Sequence, residues 1–129
     1  MSQCRKCRIA VVDDDQRVLE ALENLLESAG HSVVAFPSGR ALLENEDLAA
    51  IDCLITDIGM PVLDGFDVQR LARARRPDLP VILITGRHEI ADQQRALALS
   101  HHGFFRKPFD GKALLAAVGK AVSGARHGG

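Results

Sequence analysis

Five short runs leave few folds open to this chain: Ile9-Ala10-Val11-Val12, Ser32-Val33-Val34-Ala35-Phe36, Cys53-Leu54-Ile55-Thr56-Asp57, Pro80-Val81-Ile82-Leu83-Ile84 and Gly103-Phe104-Phe105-Arg106. Each has the length of a strand, and most are apolar at consecutive positions, as strands covered on both faces are. Segments of helical period lie between them. Parallel strands need crossover connections, and helices supply these in a right-handed sense. The pattern therefore predicts an α/β domain, a five-stranded parallel sheet with helices on both faces.

The helices have readable ends. From Gln16 to Ser28, Val18, Leu22, Leu25 and Leu26 fall on one face, and Glu20, Glu23 and Glu27 on another. Asp15 is suited to cap this helix and Gly30 to end it. Ser38 opens a short helix through Leu43, while Phe66, Val68, Leu71 and Ala72 mark a third that Pro77 stops. Arg70, Arg73, Arg75 and Arg76 make that third helix basic, which reads as a solvated face. The fourth, from Glu89 to Ser100, has the least regular apolar spacing. Asp110 caps the last helix, whose core face is Leu114, Leu115, Val118 and Val122. Residues 1–7 read as a lead-in, 8–122 as one domain and 123–129 as a flexible tail.

A chain of 129 residues can bury a core without staples. Its net charge of −1 gives no reason to expect nucleic acid or a membrane as partner. The basic start Arg5-Lys6-Cys7-Arg8 leads into too short an apolar run for a signal peptide, and no run reaches transmembrane length. Three cysteines do not make a disulfide framework, so a reducing cytoplasm is the simplest home. Cys4 and Cys7 form a CxxC without a second metal-binding pair, and read as surface lead-in. Cys53 reads as a small core hydrophobe.

The polar residues that interrupt this apolar scaffold stand at strand ends. Asp13 and Asp14 follow the first strand, Asp57 ends the third, Thr85 follows the fourth and Lys107 the fifth. One Asp after a strand could simply start an Asx-turn. Five such residues converge if the strands take the flavodoxin-like order 2-1-3-4-5, because ligands bind at the carboxyl ends of such sheets. Two unit charges 4 Å apart interact by about 4 kcal/mol at an effective dielectric of 20, against a domain stability of about 5–15 kcal/mol. Three carboxylates therefore call for a cation. Lys107 offers one, and an all-oxygen site suits Mg²⁺. Asp57 is then placed as a nucleophile toward phosphorus, with Lys107 and Mg²⁺ holding the phosphoryl charge and the Thr85 hydroxyl donating to it.

The motifs Val11-Val12-Asp13-Asp14-Asp15, Ile55-Thr56-Asp57-Ile58-Gly59-Met60-Pro61, Asp64-Gly65, Pro80 to Gly86 and Phe104-Phe105-Arg106-Lys107-Pro108-Phe109 recur in order from about Arg8 to Val122. In this the chain resembles the receiver domain of two-component response regulators, the CheY-like family. The resemblance implies that Asp57 accepts a phosphoryl group from a histidine of a sensor kinase or phosphotransfer protein. It implies Mg²⁺ ligation by Asp14, Asp57 and the Gly59 carbonyl, with Asp13 acting through water. Thr85 and Phe104 would form the switch pair, and the Lys107-Pro108 bond is often cis in the family. The fourth helix, fifth strand and fifth helix would form the face for an effector or a second copy. A signalling domain rather than an enzyme is expected, either standing alone or as part of a longer regulator. Two alternatives are a receiver-like binding module that ignores phosphorylation and, from the Asp13-x-Asp15 spacing, a haloacid-dehalogenase-type phosphatase. Gln16-Arg17 departs from the pattern of the latter.

Overall fold

The first, third and fourth strands bury almost every residue and the second and fifth are only part-buried, and the arrangement follows from that. The computed structural model describes residues 7–45, 48–86, 90–99, 103–107 and 109–127. The elements run β1 (Arg8–Val12), α1 (Gln16–Ser28), β2 (Ser32–Phe36), α2 (Gly39–Asn45), β3 (Cys53–Asp57), α3 (Gly65–Arg75), β4 (Val81–Thr85), α4 (Ile90–Leu99), β5 (Phe104–Arg106) and α5 (Gly111–His127). A single 3₁₀ turn, Leu48–Ala50, precedes β3. The strands are parallel in the order β2-β1-β3-β4-β5, as expected.

Because side chains alternate across a strand, the sheet sorts its residues into two layers. Ile9, Val11, Cys53, Ile55, Ile82 and Ile84 pack against α1 and α5 through Leu19, Leu22, Leu26, Leu114 and Val118. Ala10, Val12, Leu54, Val81 and Leu83 meet Leu42 of α2 and Phe66, Val68 and Ala72 of α3. The same alternation corrects one expectation. Cys7, two residues before Ile9, falls on the α1/α5 face and is buried in the core, not laid on the surface; Cys4 lies outside the described residues.

Helix faces are rotated slightly from the expected ones. In α1 the buried stripe is Leu19, Leu22 and Leu26, with Val18 and Leu25 only half-buried. In α3, Gln69 is buried while Leu71 is half-exposed. Asp15 caps α1 through the Arg17 amide. At its other end Gly30 (φ +92°) and His31 return their amides to the carbonyls of Glu27 and Leu26, a Schellman closure. The last helix continues through Ser123 to His127, beyond the boundary expected at Val122. Small residues such as Gly119 and Ala121 were compatible with either outcome.

The loop after β3 is held tightly to the strand end. Asp64 and Asp67 exchange backbone-to-carboxylate hydrogen bonds of 2.9 and 3.2 Å, a capping box that starts α3. Gly65, the first residue of the helix, donates to the Ile58 carbonyl at 3.3 Å. A Cβ at Gly65 would stand 2.5 Å from the Asp57 carbonyl oxygen and 2.6 Å from Ile58 Cα. Both are backbone atoms and cannot swing aside. Within the same loop Val62 is 93% exposed and holds φ at +68°, a left-handed conformation that a β-branched residue rarely takes.

Two stability changes follow. Gly65→Ala forces α3 away from the strand end and is expected to cost about 1–3 kcal/mol in urea unfolding. An unchanged midpoint would contradict the close approach. Val62→Asn, which suits the left-handed region, is expected to add about 1 kcal/mol in the same measurement; a loss of stability would mean that Val62 is not strained there.

Candidate functional site

The carboxyl edge of the sheet gathers the expected residues. Asp13 follows β1, and its amide donates to the Phe36 carbonyl at 3.2 Å, continuing the β1–β2 ladder by one residue. Asp57 is the last residue of β3, paired in register with Ile84. Thr85 ends β4 and is buried. Lys107 leaves β5 with its amide bonded to the Thr85 carbonyl at 2.7 Å, so strand pairing aims it back over the sheet edge.

The Lys107 ammonium lies 2.7 Å from Asp13 Oδ2 and 3.4 Å from Asp57 Oδ1. Asp13 is 0% and Asp57 4% exposed, whereas Asp14 is exposed. Each of these three aspartates places a carboxylate oxygen within 4.8 Å of the others. Asp13 has a second task, the turn-forming role open to an Asp after a strand. Its Oδ1 accepts the Asp15 amide at 2.9 Å, an Asx-type turn that leads into α1. The other oxygen, Oδ2, is buried and faces the Lys107 ammonium at 2.7 Å.

Burial raises the Asp57 carboxyl above the ordinary carboxylate range, and the Asp13 charge adds to this. The Lys107 charge, a hydrogen bond from the Gly59 backbone and the Lys107 contact pull it down but do not cancel the rise. For Lys107, burial works to lower the pKa. The hydrogen bond to Asp13 and the charges of Asp57 and Asp13 outweigh it, leaving the ammonium above its usual value.

Phe104 and Thr85 stand on adjacent strands and share a sheet face, since Phe104 pairs with Leu83 and Thr85 with Arg106. Phe104 is half-buried against the α2/α3 layer. Pro108 falls outside the described residues, and so do Arg87, His88, His101 and His102. Gln69 went unnoticed in the sequence. A glutamine within a polar helix carries no signal that its side chain is buried.

The family model of the response regulator receiver domain matches residues 9–119, nearly the whole of this architecture and all of the acidic edge. The chain belongs to the response-regulator receiver family. This receiver domain is 39% identical over 114 residues to the response regulator protein TodT of Pseudomonas putida, a match covering 88% of this chain and 50% of that protein. It is 31% identical over 117 residues to the transcriptional regulatory protein FixJ of Bradyrhizobium diazoefficiens, covering 91% and 57%. Among solved structures it resembles a response regulator receiver domain protein from Clostridium thermocellum, with a TM-score of 0.80 and 30% identity over 91% of this chain and 94% of that one. The chain spans about half the length of the curated relatives it matches.

Membership places the receiver domain in two-component signalling and does not favour the phosphatase or the phosphorylation-independent reading. Receiver domains bind Mg²⁺ at an acidic pocket, and the residues here fit that ion. The donors are carboxylate oxygens, without nitrogen or sulfur, and they lie within 4.8 Å of one another, the oxygen-only set that a hard divalent cation takes. Among the described residues no helix is long and apolar enough to cross a membrane.

The pKa directions fix a sign. A carboxyl whose folded pKa is raised holds its proton more tightly in the native state, so it contributes stability at low pH that is lost as pH rises to the folded value. Lys107, raised as a base, contributes stability present below its unfolded pKa and lost as pH rises through its folded one. With metal removed by chelator, Asp57→Asn is therefore expected to raise the thermal midpoint at neutral pH and flatten its fall between acid and neutral. A lowered midpoint would show that the Lys107 pairing outweighs burial.

Proposed function

We propose that Asp57 is the phosphoryl acceptor of this receiver, taking the group from a phosphohistidine of a sensor kinase or phosphotransfer protein. The observation that carries this reading is the position of Asp57, a buried carboxylate at the end of the central strand, 3.4 Å from the Lys107 ammonium. A lone pair on a carboxylate oxygen attacks phosphorus as the P–N bond breaks. The bonding pair stays with the imidazole, which takes up a proton as it leaves.

Each neighbour has a separate task. Asp14, Asp57 and the Gly59 carbonyl would hold Mg²⁺, with Asp13 acting through water. When bound, the ion supplies charge to neutralise the phosphoryl oxygens. Lys107, placed over the edge by its backbone bond to Thr85, provides a second cation for the same oxygens. Thr85 donates its hydroxyl to the phosphorylated Asp57, and Phe104, on the same sheet face, turns into the space the hydroxyl vacates. The group can shift this equilibrium only by the difference in its contacts with the two states.

The responsive face would be formed by α4, β5 and α5 and would take an effector or a second copy. Exposed Leu97 on α4 supports an apolar contact there. Direct contact with nucleic acid is not part of this reading, nor is contact with a membrane. The setting is the cytoplasm, where kinases and ATP are found, and the domain signals and at most slowly removes its own phosphoryl group.

Intact mass after incubation with Mg²⁺ and acetyl phosphate tests the assignment. The protein is expected to gain one acid-stable, base-labile phosphoryl group, and Asp57→Asn to gain none. Equal labelling of both proteins would move the acceptor elsewhere.

A further inference from the structure

The arginines of α3 do not all lie on a uniform wet face. Between α3 and α4 there is an open cleft of about 470 Å³, lined chiefly by Phe66, Gln69, Arg70, Arg73, Arg95 and Leu99. That volume falls within the range of small-molecule sites. Its two walls are joined at the base. The Gln69 side-chain amide donates to the Leu99 carbonyl at 2.9 Å, and the Arg95 guanidinium lies 4.2 Å from the centroid of the Phe66 ring. Gln69 is 7% and Phe66 5% exposed, so the floor is built from buried groups.

Among the described residues, three guanidinium groups line this space and no carboxylate does. Arg70 has a 3.5 Å contact with Asp67 on its own helix, and Arg73 donates to the neutral Pro77 carbonyl. Arg95 has no carboxylate partner among the described residues. The other two arginines of this region serve the fold instead. Arg75 donates to the Leu43 carbonyl, and Arg76 reaches the carbonyls of Leu48 and Ile51 and the carboxylate of Asp78. Among the described residues, then, Arg73 and Arg95 reach the cleft without a carboxylate partner and Arg70 with one at 3.5 Å.

Like charges held around a cavity are stabilised by an anion, and the planar guanidinium fork matches phosphate oxygens in pairs. The Arg95 guanidinium lies over the Phe66 ring, and the residue is exposed. Guanidinium planes also stack on nucleobases. We propose that the α3–α4 cleft binds a small organic phosphate carrying a planar ring, of nucleotide size. Arg70 and Arg73 take the phosphates and Arg95 takes the ring. None of these residues belongs to the acidic edge around Asp57, so the site is separate from the phosphoryl acceptor.

Isothermal titration calorimetry of the full chain in chelator, with ADP, GDP and pyrophosphate as probes, tests this. Saturable binding is expected, weakened by rising salt and unchanged in Asp57→Asn. Arg73→Gln and Arg95→Gln, both at solvent-accessible positions, are each expected to weaken it at least tenfold. The nucleotides are expected to bind several-fold more tightly than pyrophosphate; equal affinities would overturn the role given to the ring. Absence of saturable binding, binding that survives both arginine substitutions, or binding lost in Asp57→Asn would overturn the site.

Discussion

The ammonium of Lys107 makes the acidic edge of this receiver tolerable. Asp13 and Asp57 are both nearly sealed from solvent, and two carboxylates so placed repel through a medium that screens poorly. Lys107 reaches both, at 2.7 and 3.4 Å. Its reach depends on the backbone bond to Thr85, which extends the β4–β5 ladder one residue past the strand. Asp13 is fixed from its other oxygen by the Asp15 amide that begins α1. The charges are therefore held by strand and helix ends rather than by mobile loops, and a site held in this way loses little in reorganisation when charge arrives.

The rest of the core contributes by excluding polar groups. Alternate residues of the five strands fill two apolar layers, leaving the carboxyl edge as the place where Asp and Thr can stand. Gly65 carries that edge into α3, because its missing side chain lets the helix start against the Asp57 and Ile58 backbone. One turn further on, the packing changes character. Where α3 meets α4 the contacts are an amide-to-carbonyl bond and a guanidinium on a ring, around an open cleft. Such a junction opens more readily than an apolar one, since its groups can exchange their partners for water.

Much of this was legible in the residues, and the exceptions share a cause. The strands, their order, the caps Asp15 and Asp110, and the five residues of the edge could be read because each depends on local pattern or on one topological rule. Strand alternation placed Cys7 in the core, but only once β1 was known to begin at Arg8 and to be covered there by α1 and α5. The stripe of α1 settled on Leu19 instead of Val18 because the helix rotates to seat its largest side chains on the sheet. Gln69 is buried because α4 covers it, a fact about a partner thirty positions away.

By itself the sequence determined the parallel sheet, its crossover helices and the set of polar residues allowed at one edge. These follow from hydrophobic period and from the handedness of L-amino-acid chains, which act over a few residues at a time. Tertiary structure decided which charges meet. It brought Lys107 onto Asp13 and Asp57, pressed Gly65 on the strand end and drew three arginines around a cleft. Those outcomes rest on distances between residues far apart in the chain, and electrostatic energy depends on distance and burial, neither of which a linear pattern contains.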